Sequence, residues 1–131
     1  MDYKTYEVRE YTNGTIEYYK DGKLHRDNDK PACEYSDGGK AWYKNDRYHR
    51  NNGPAIIFSN GNKEWYKNGL RHREDGPACE YNIGGETYYL YDKYYTKKKY
   101  YDKINGKKYD IKGKIVSEDT IFEALKDYIN K

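Results

Sequence analysis

The sequence predicts a mainly β fold, a single-layer antiparallel meander of hairpin repeats of about 23 residues with a C-terminal α-helical and hairpin cap. Three observations carry this. First, a unit recurs: His25-Arg26, His49-Arg50 and His72-Arg73 lie 24 and 23 residues apart. Each pair follows an aromatic pair (Tyr18-Tyr19, Trp42-Tyr43, Trp65-Tyr66) and precedes a Pro-Ala step at residues 31–32, 54–55 and 77–78. Second, the chain is only 35% hydrophobic and 36% charged over 131 residues, a balance that argues for disorder, yet it holds 19 Tyr, 2 Trp and 2 Phe in register with the repeat. Aromatic rings favour strands and bury large areas, so a thin sheet held by aromatic ladders suits the composition better than a thick aliphatic core. Third, turn signals such as Asn13-Gly14 and Asn68-Gly69 separate the short β-prone runs.

The elements follow in order. A half repeat over 6–17 places Val8, Glu10 and Tyr11 where later units have Ala32, Glu34 and Tyr35. Full repeats span 18–41, 42–64 and 65–87, and a partial one spans 88–95. Within a unit, Pro54–Phe58 reads as one strand, residues 59–62 as a turn and Lys63–Lys67 as a second strand, followed by the Asn68-Gly69 hairpin turn. Neither strand buries a face alone, so stability must come from stacked neighbours. Alternation puts Cys33, Ile56 and Cys79 on one face with Tyr35, Phe58 and Tyr81, the expected core side. Ala32, Ala55 and Ala78 fall on the other face with Glu34, Ile57 and Glu80. Two aromatic columns point oppositely, Tyr18–Trp42–Trp65–Tyr88 and Tyr19–Tyr43–Tyr66–Tyr89, so one is expected to be core and the other contact surface.

Beyond Tyr89 the pattern breaks: Tyr91-Asp92 replaces the Asn-Gly turn, and Tyr94-Tyr95 stands where His-Arg would come. In the cap, residues 96–131, Thr96 caps a short helix ending near Ile104, against the opposing charge of Lys97, Lys98 and Lys99. Asn105-Gly106 and Lys112-Gly113 flank a small hairpin. Ser117 caps a terminal helix with an apolar stripe of Ile121, Phe122, Leu125, Tyr128 and Ile129, expected to cover the open end of the repeats.

These residues resemble the MORN-like repeat class, in a variant with Trp-Tyr-x-Asn-Gly-x-x-His-Arg-x-Asp-Gly-Pro-Ala, as at Trp65–Ala78. The variant looks common in proteins of phages, giant viruses and bacteria, and is distantly similar to YwqK-type MORN-variant antitoxin-like proteins. The likeness covers roughly residues 6–95. It implies a hairpin-and-loop architecture and a binding or scaffolding role, with a phage or mobile-element inhibitor of a host defence or nuclease protein as a narrower expectation. Lys30 departs from the pattern, standing with one extra residue where Gly53 and Gly76 stand, so the first connecting loop must differ. Asp46 replaces the turn glycine in the second unit.

Repetition also recasts the residues that look chemical. His25, His49 and His72 are spaced by the repeat, which sets neighbouring units roughly 10 Å apart at about 4.8 Å per strand. A zinc ion needs nitrogens at about 2.0–2.1 Å, so the expected role is structural, with each ring bonding loop backbone. Cys33 and Cys79 lie two units apart, roughly 20 Å by the same spacing, too far for a disulfide, and read as small buried side chains. Arg26, Arg50 and Arg73 read as loop-pairing groups, with rows of phosphate contacts as the alternative. No phosphate loop, metal-spaced cluster or nucleophile motif is present, so neither catalysis nor a cofactor or metal is expected.

Two kinds of partner remain. Tyr, Trp and Arg are enriched at interface hot spots. The protein-binding candidates are therefore Tyr19, Tyr43, Tyr66, Tyr89, Trp42, Trp65, Arg50 and Arg73 on a non-enzymatic module, whose partner is expected to be a host or viral protein. The competing reading is nucleic-acid binding by the Lys/Tyr-rich segment 93–108, through Lys93, Tyr94, Tyr95, Lys97, Lys98, Lys99, Tyr100 and Tyr101. A structural scaffold is a third reading; the oligomeric state is left open, with an edge-paired homodimer through the half repeat as one alternative. The formal charge of +3 is weak support for a polyanion partner. Without a signal-like or membrane-spanning run, a soluble cytoplasmic protein with no membrane partner is expected.

Overall fold

A computed structural model describes residues 4–109 and 115–117. The strands are β1 (Tyr6–Glu10), β2 (Ile16–Lys20), β3 (Lys23–Leu24), β4 (Cys33–Glu34), β5 (Lys40–Ala41), β6 (Tyr43–Lys44), β7 (Arg47–Tyr48), β8 (Ile56–Ile57), β9 (Lys63–Glu64), β10 (Tyr66–Lys67), β11 (Leu70–Arg71), β12 (Cys79–Tyr81), β13 (Gly85–Leu90) and β14 (Lys93–Tyr95). Helix α1 (Lys97–Ile104) and the hairpin β15 (Lys107–Tyr109) and β16 (Ile115–Ser117) follow. The fold is mainly β, as the repeats predict. One ten-stranded antiparallel sheet runs β1-β2-β4-β5-β8-β9-β12-β13-β14, with β3 on β2, and two-stranded ribbons β6-β7 and β10-β11 branch from it. Contacts divide the chain into two units, Met1–Tyr94 and Tyr95–Lys131.

The strands are shorter than the residue pattern suggests. Pro54–Phe58 contributes only β8, and Lys63–Lys67 is split into β9 and β10 at Trp65. The reason is a change of partner at the aromatic residue. The Trp65 N–H donates to the Ala78 carbonyl at 2.7 Å, while the Trp65 carbonyl accepts from the His72 N–H at 3.0 Å. Trp42 repeats this with Ala55 and His49, and Tyr18 with Ala32 and His25. Trp42 and Trp65 thus sit where a strand leaves the long sheet and enters its own ribbon, whereas at Tyr18 β2 runs on unbroken within the long sheet.

Every ribbon closes through two left-handed residues: Asp21-Gly22, Asn45-Asp46, Asn68-Gly69 and Tyr91-Asp92, with φ between 46° and 83°. This is the type I′ pattern that matches strand twist. Tyr91-Asp92 departs from the Asn-Gly pattern in sequence yet adopts the same turn, and β13 and β14 pair across it. Asn and Asp tolerate the left-handed region, which explains why Asp46 can replace glycine.

The alanine face is a second correction. Ala32, Ala55 and Ala78 are 0% exposed, as buried as Cys33, Ile56 and Cys79 on the expected core side. Their carbonyls receive the aromatic N–H at the strand switch, so the connecting loop folds over them. Tyr35, Phe58 and Tyr81 on the expected core face are about 40% exposed instead.

In the second unit Thr96 caps α1, its hydroxyl accepting the Lys99 N–H at 3.3 Å, and Asn105 closes the helix. β15 pairs with β16, so Lys112-Gly113 falls in the sequence between the two strands rather than flanking them. The expected Ser117-capped helix lies outside the described residues.

Candidate binding faces

One face of the sheet is a ladder of stacked cations and rings. Arg26 lies over the Tyr18 ring at 3.6 Å, Arg50 over Trp42 at 3.8 Å and Arg73 over Trp65 at 3.9 Å. Arginine suits this place because its flat guanidinium stacks on a ring while its edge still donates. In each unit Nη1 donates to the loop proline carbonyl, that of Pro31, Pro54 or Pro77, at 3.1–3.2 Å. Arg26 and Arg73 also pair with Glu34 and Glu80. A Cβ on Gly53 would come within 3.1 Å of the Arg50 guanidinium, and one on Gly76 within 3.0 Å of that of Arg73. The Gly-Pro-Ala step therefore leaves room for the arginine. Trp42 is 7% exposed and Tyr88 4%. Of the candidate residues, Trp42, Trp65, Arg50 and Arg73 belong to this covered layer.

The histidines link successive units. The backbone N–H of Asn45 donates to His25 Nδ1 at 3.3 Å, that of Asn68 to His49 Nδ1 at 3.0 Å and that of Tyr91 to His72 Nδ1 at 2.9 Å. An accepting Nδ1 places the ring proton on Nε2. His25 Nε2 then faces Asp27 at 2.8 Å and His72 Nε2 faces Glu74 at 3.0 Å. The rings do bond backbone, but of the following unit's turn rather than of their own loop. Among the described residues no three His, Cys, Asp or Glu side chains are placed to hold a metal ion. Cys33 and Cys79 are free and buried, and burial pushes the Cys33 thiol up to about 11 and the Cys79 thiol upward, which keeps both protonated near neutrality.

The opposite face carries the second column. Tyr43, Tyr66 and Tyr89 are half-buried, as is Tyr19. In the middle of the array the rings run on through Tyr48, which the turn sets opposite Tyr43: Tyr43–Tyr48 centroids lie 4.6 Å apart and Tyr48–Tyr66 5.1 Å. Towards the ends Arg9 covers Tyr19 at 4.2 Å and Arg71 covers Tyr89 at 4.3 Å. Burial raises the phenols of Tyr43 and Tyr66, and that of Tyr35 to about 12, so all remain neutral hydroxyls. Tyr48 was not among the predicted residues. Its signal was its place directly across a two-residue turn from Tyr43.

The Lys/Tyr-rich candidates fall in two units. In the first, Lys93 and Tyr94 lie on β14, with Tyr94 exposed and set edge-on to Tyr89 at 5.8 Å. In the second, Lys97, Lys98 and Lys99 form the exposed first turn of α1, and Lys98 reaches Asp102 at 3.3 Å. Tyr95 is half-buried, Tyr100 is fully buried, and Tyr101 meets it edge-on at 5.0 Å. Tyr100 thus has no ring face open to a base.

Clefts recur between units on the arginine face. The one between the first and second repeats measures about 220 Å³, and the one between the second and third about 590 Å³. The first is narrowed by the longer loop expected around Lys30. Asn28 and Asp29 there adopt φ of 65° and 56°, and Asp29 reaches into the next unit. Its carboxylate accepts from Arg50 Nε at 2.9 Å and Nη2 at 3.4 Å, and its carbonyl accepts from Trp42 Nε1 at 3.1 Å. The Arg50 guanidinium holds the Asp29 carboxyl below the usual carboxylate range.

Comparison with family models, curated proteins and solved structures finds no match to this chain. No helix among the described residues is long and apolar enough to cross a membrane.

Proposed function

We propose that this chain is a non-enzymatic protein-binding repeat module that engages its partner through the tyrosine face. The observation that carries the reading is the unbroken ring contact Tyr43–Tyr48–Tyr66, together with the exposure of Tyr35, Phe58 and Tyr81 at about 40% each. Rigid aromatic rings with neutral hydroxyls supply apolar area and hydrogen bonding at little entropic cost, the chemistry of interface anchors. In the other column Arg26, Arg50 and Arg73 lie over Tyr18, Trp42 and Trp65 and tie each ring to its own loop.

The test is capture of partners by the tagged chain with and without nuclease, repeated with Phe58→Ser and Tyr81→Ser. A stoichiometric protein that survives nuclease and is lost from the variants at unchanged Tm supports the module. Capture that disappears with nuclease, or that ignores both variants, overturns it.

A further inference from the structure

From the internal repetition we infer a second site: the cleft between the second and third repeats binds a peptide segment bearing an aspartate. It rests on the protein-binding reading but lies on the other face of the sheet. The chain contains its own template for the bound state. In the smaller cleft, Asp29 presents its carbonyl to the Trp42 indole N–H and its carboxylate to two nitrogens of Arg50. Trp65 and Arg73 form the same stack one unit later, at 3.9 Å against 3.8 Å. The loop that should feed them is one residue shorter. Arg26 reaches the proline carbonyl of its loop five residues on, whereas Arg50 and Arg73 reach theirs four residues on. Asn52 and Gly53 line the second cleft in place of Asp29, and the carboxylate on Arg73 Nε comes instead from Asp75 of its own loop.

Two consequences separate this cleft from its neighbour. Among the described residues the Trp65 indole N–H meets no acceptor, whereas that of Trp42 is satisfied. Arg73 Nε is held at 2.9 Å by Asp75 of its own loop, a carboxylate whose side chain is 87% exposed. Such an exposed pair is held weakly and exchanges readily with another carboxylate. The space left, about 590 Å³, is on the scale of a few residues of peptide, and Lys67 adds positive charge to a wall that also carries Glu74 and Asp75. An incoming aspartate reproduces the Asp29 contacts: its carbonyl takes the Trp65 N–H, and its carboxylate replaces Asp75 on Arg73. A bidentate guanidinium–carboxylate pair supplies direction as well as affinity.

The test uses the full chain and a capped hexapeptide of its own residues 26–31, Arg-Asp-Asn-Asp-Lys-Pro. The two tryptophans give two indole N–H resonances, assigned by Trp65→Phe. On titration the Trp65 signal should move in the millimolar range and the Trp42 signal should stay, as expected for one salt-bridged contact and few others. Asp75→Ala, which removes the competing carboxylate, should tighten binding about 2- to 5-fold, in the range of one exposed ion pair. A peptide with alanine in the places of both Asp27 and Asp29 should leave Trp65 unmoved. No shift at Trp65 in the wild type and in Asp75→Ala, or an equal shift from the alanine peptide, overturns the site. A chain that binds the peptide but captures no protein keeps the site and loses the module; the converse keeps the module and loses the site.

Discussion

His49 accepts the backbone N–H of Asn68 through Nδ1 at 3.0 Å, so the ring of one repeat satisfies the hairpin turn of the next. This bond needs the neutral ring, since an imidazolium has two donors and no acceptor. Burial is the main cause that lowers the His49 pKa, with the nearby Lys44 charge adding to it. A base with a depressed folded pKa binds fewer protons folded than unfolded. Its contribution is therefore fully present above the unfolded value of about 6.5 and is lost as pH falls through the folded value. Thermal unfolding between pH 7.5 and about 5 should show a steeper loss of Tm for the wild type than for His49→Asn, whose amide oxygen keeps an acceptor at the Nδ1 position without titrating. Parallel Tm–pH curves would assign the acid sensitivity to other groups.

Gly53 makes room for Arg50 on Trp42. Gly53→Ala brings a Cβ to 3.1 Å from the guanidinium and should cost about 1 kcal/mol, the low end for overpacking. The same change in an Arg50→Ala background should cost close to nothing, because the atoms it strikes are gone. Urea unfolding of the four proteins closes the cycle, and additive losses would mean that Gly53 serves the loop backbone instead.

Asp29 joins two repeats from a left-handed residue. Asp29→Asn keeps the tolerated backbone and gives up the charge, for a loss of about 0.5–1 kcal/mol that fades with added salt. Asp29→Ala adds the left-handed cost of about 1–2 kcal/mol. Urea midpoints at low and high salt should rank wild type, Asn and Ala in that order; a salt-independent Asn effect would rule out the ion pair as its cause.

Helix α1 begins against its own dipole, with three lysines and no acidic residue in its first turn. Thr96→Ala should cost about 1 kcal/mol of helix protection, while Lys97→Glu should return about 0.3–1 kcal/mol. Hydrogen exchange at the Tyr100 amide, bonded to the Thr96 carbonyl at 2.8 Å, reports both. Unchanged exchange in Thr96→Ala would mean that the cap does not hold the helix.

Cys33 and Cys79 should resist a thiol reagent at neutral pH and react only on unfolding, since both are buried and protonated. Fast labelling of either thiol in the native chain would place it on an accessible surface.

The repeat, its turns and α1 were legible in the residues because each has a chemical signature: aromatic pairs at fixed spacing, Asn and Gly where φ is positive, Thr96 at a cap. Strand lengths were less so. At Trp65 the N–H and carbonyl bond different partners, and a split in backbone pairing leaves no mark on side-chain alternation. The alanine face misled for a related reason, since alanine is too small to announce that a loop covers it. The two aromatic columns were separable by alternation. Which column is covered depended on Arg26, Arg50 and Arg73 reaching back across the loop to their own rings. The histidine bonds were hidden because their donors are peptide groups, which carry no letter.

Those bonds also give the array a direction. Each unit offers an acceptor forward and receives none back, like links with a hook at one end and an eye at the other. The turn at Tyr91 takes the last hook, on His72. Seven residues after Tyr88, where the earlier units place histidine, stands Tyr95, so Tyr94-Tyr95 aligns with Arg71-His72 rather than with His-Arg, and Tyr95 has no imidazole nitrogen. A unit spliced in before Tyr88 would find a histidine waiting and would leave one for its successor. A unit added after Tyr95 would find none. Lengthening by duplication is therefore compatible with this coupling inside the array and not at its C-terminal end.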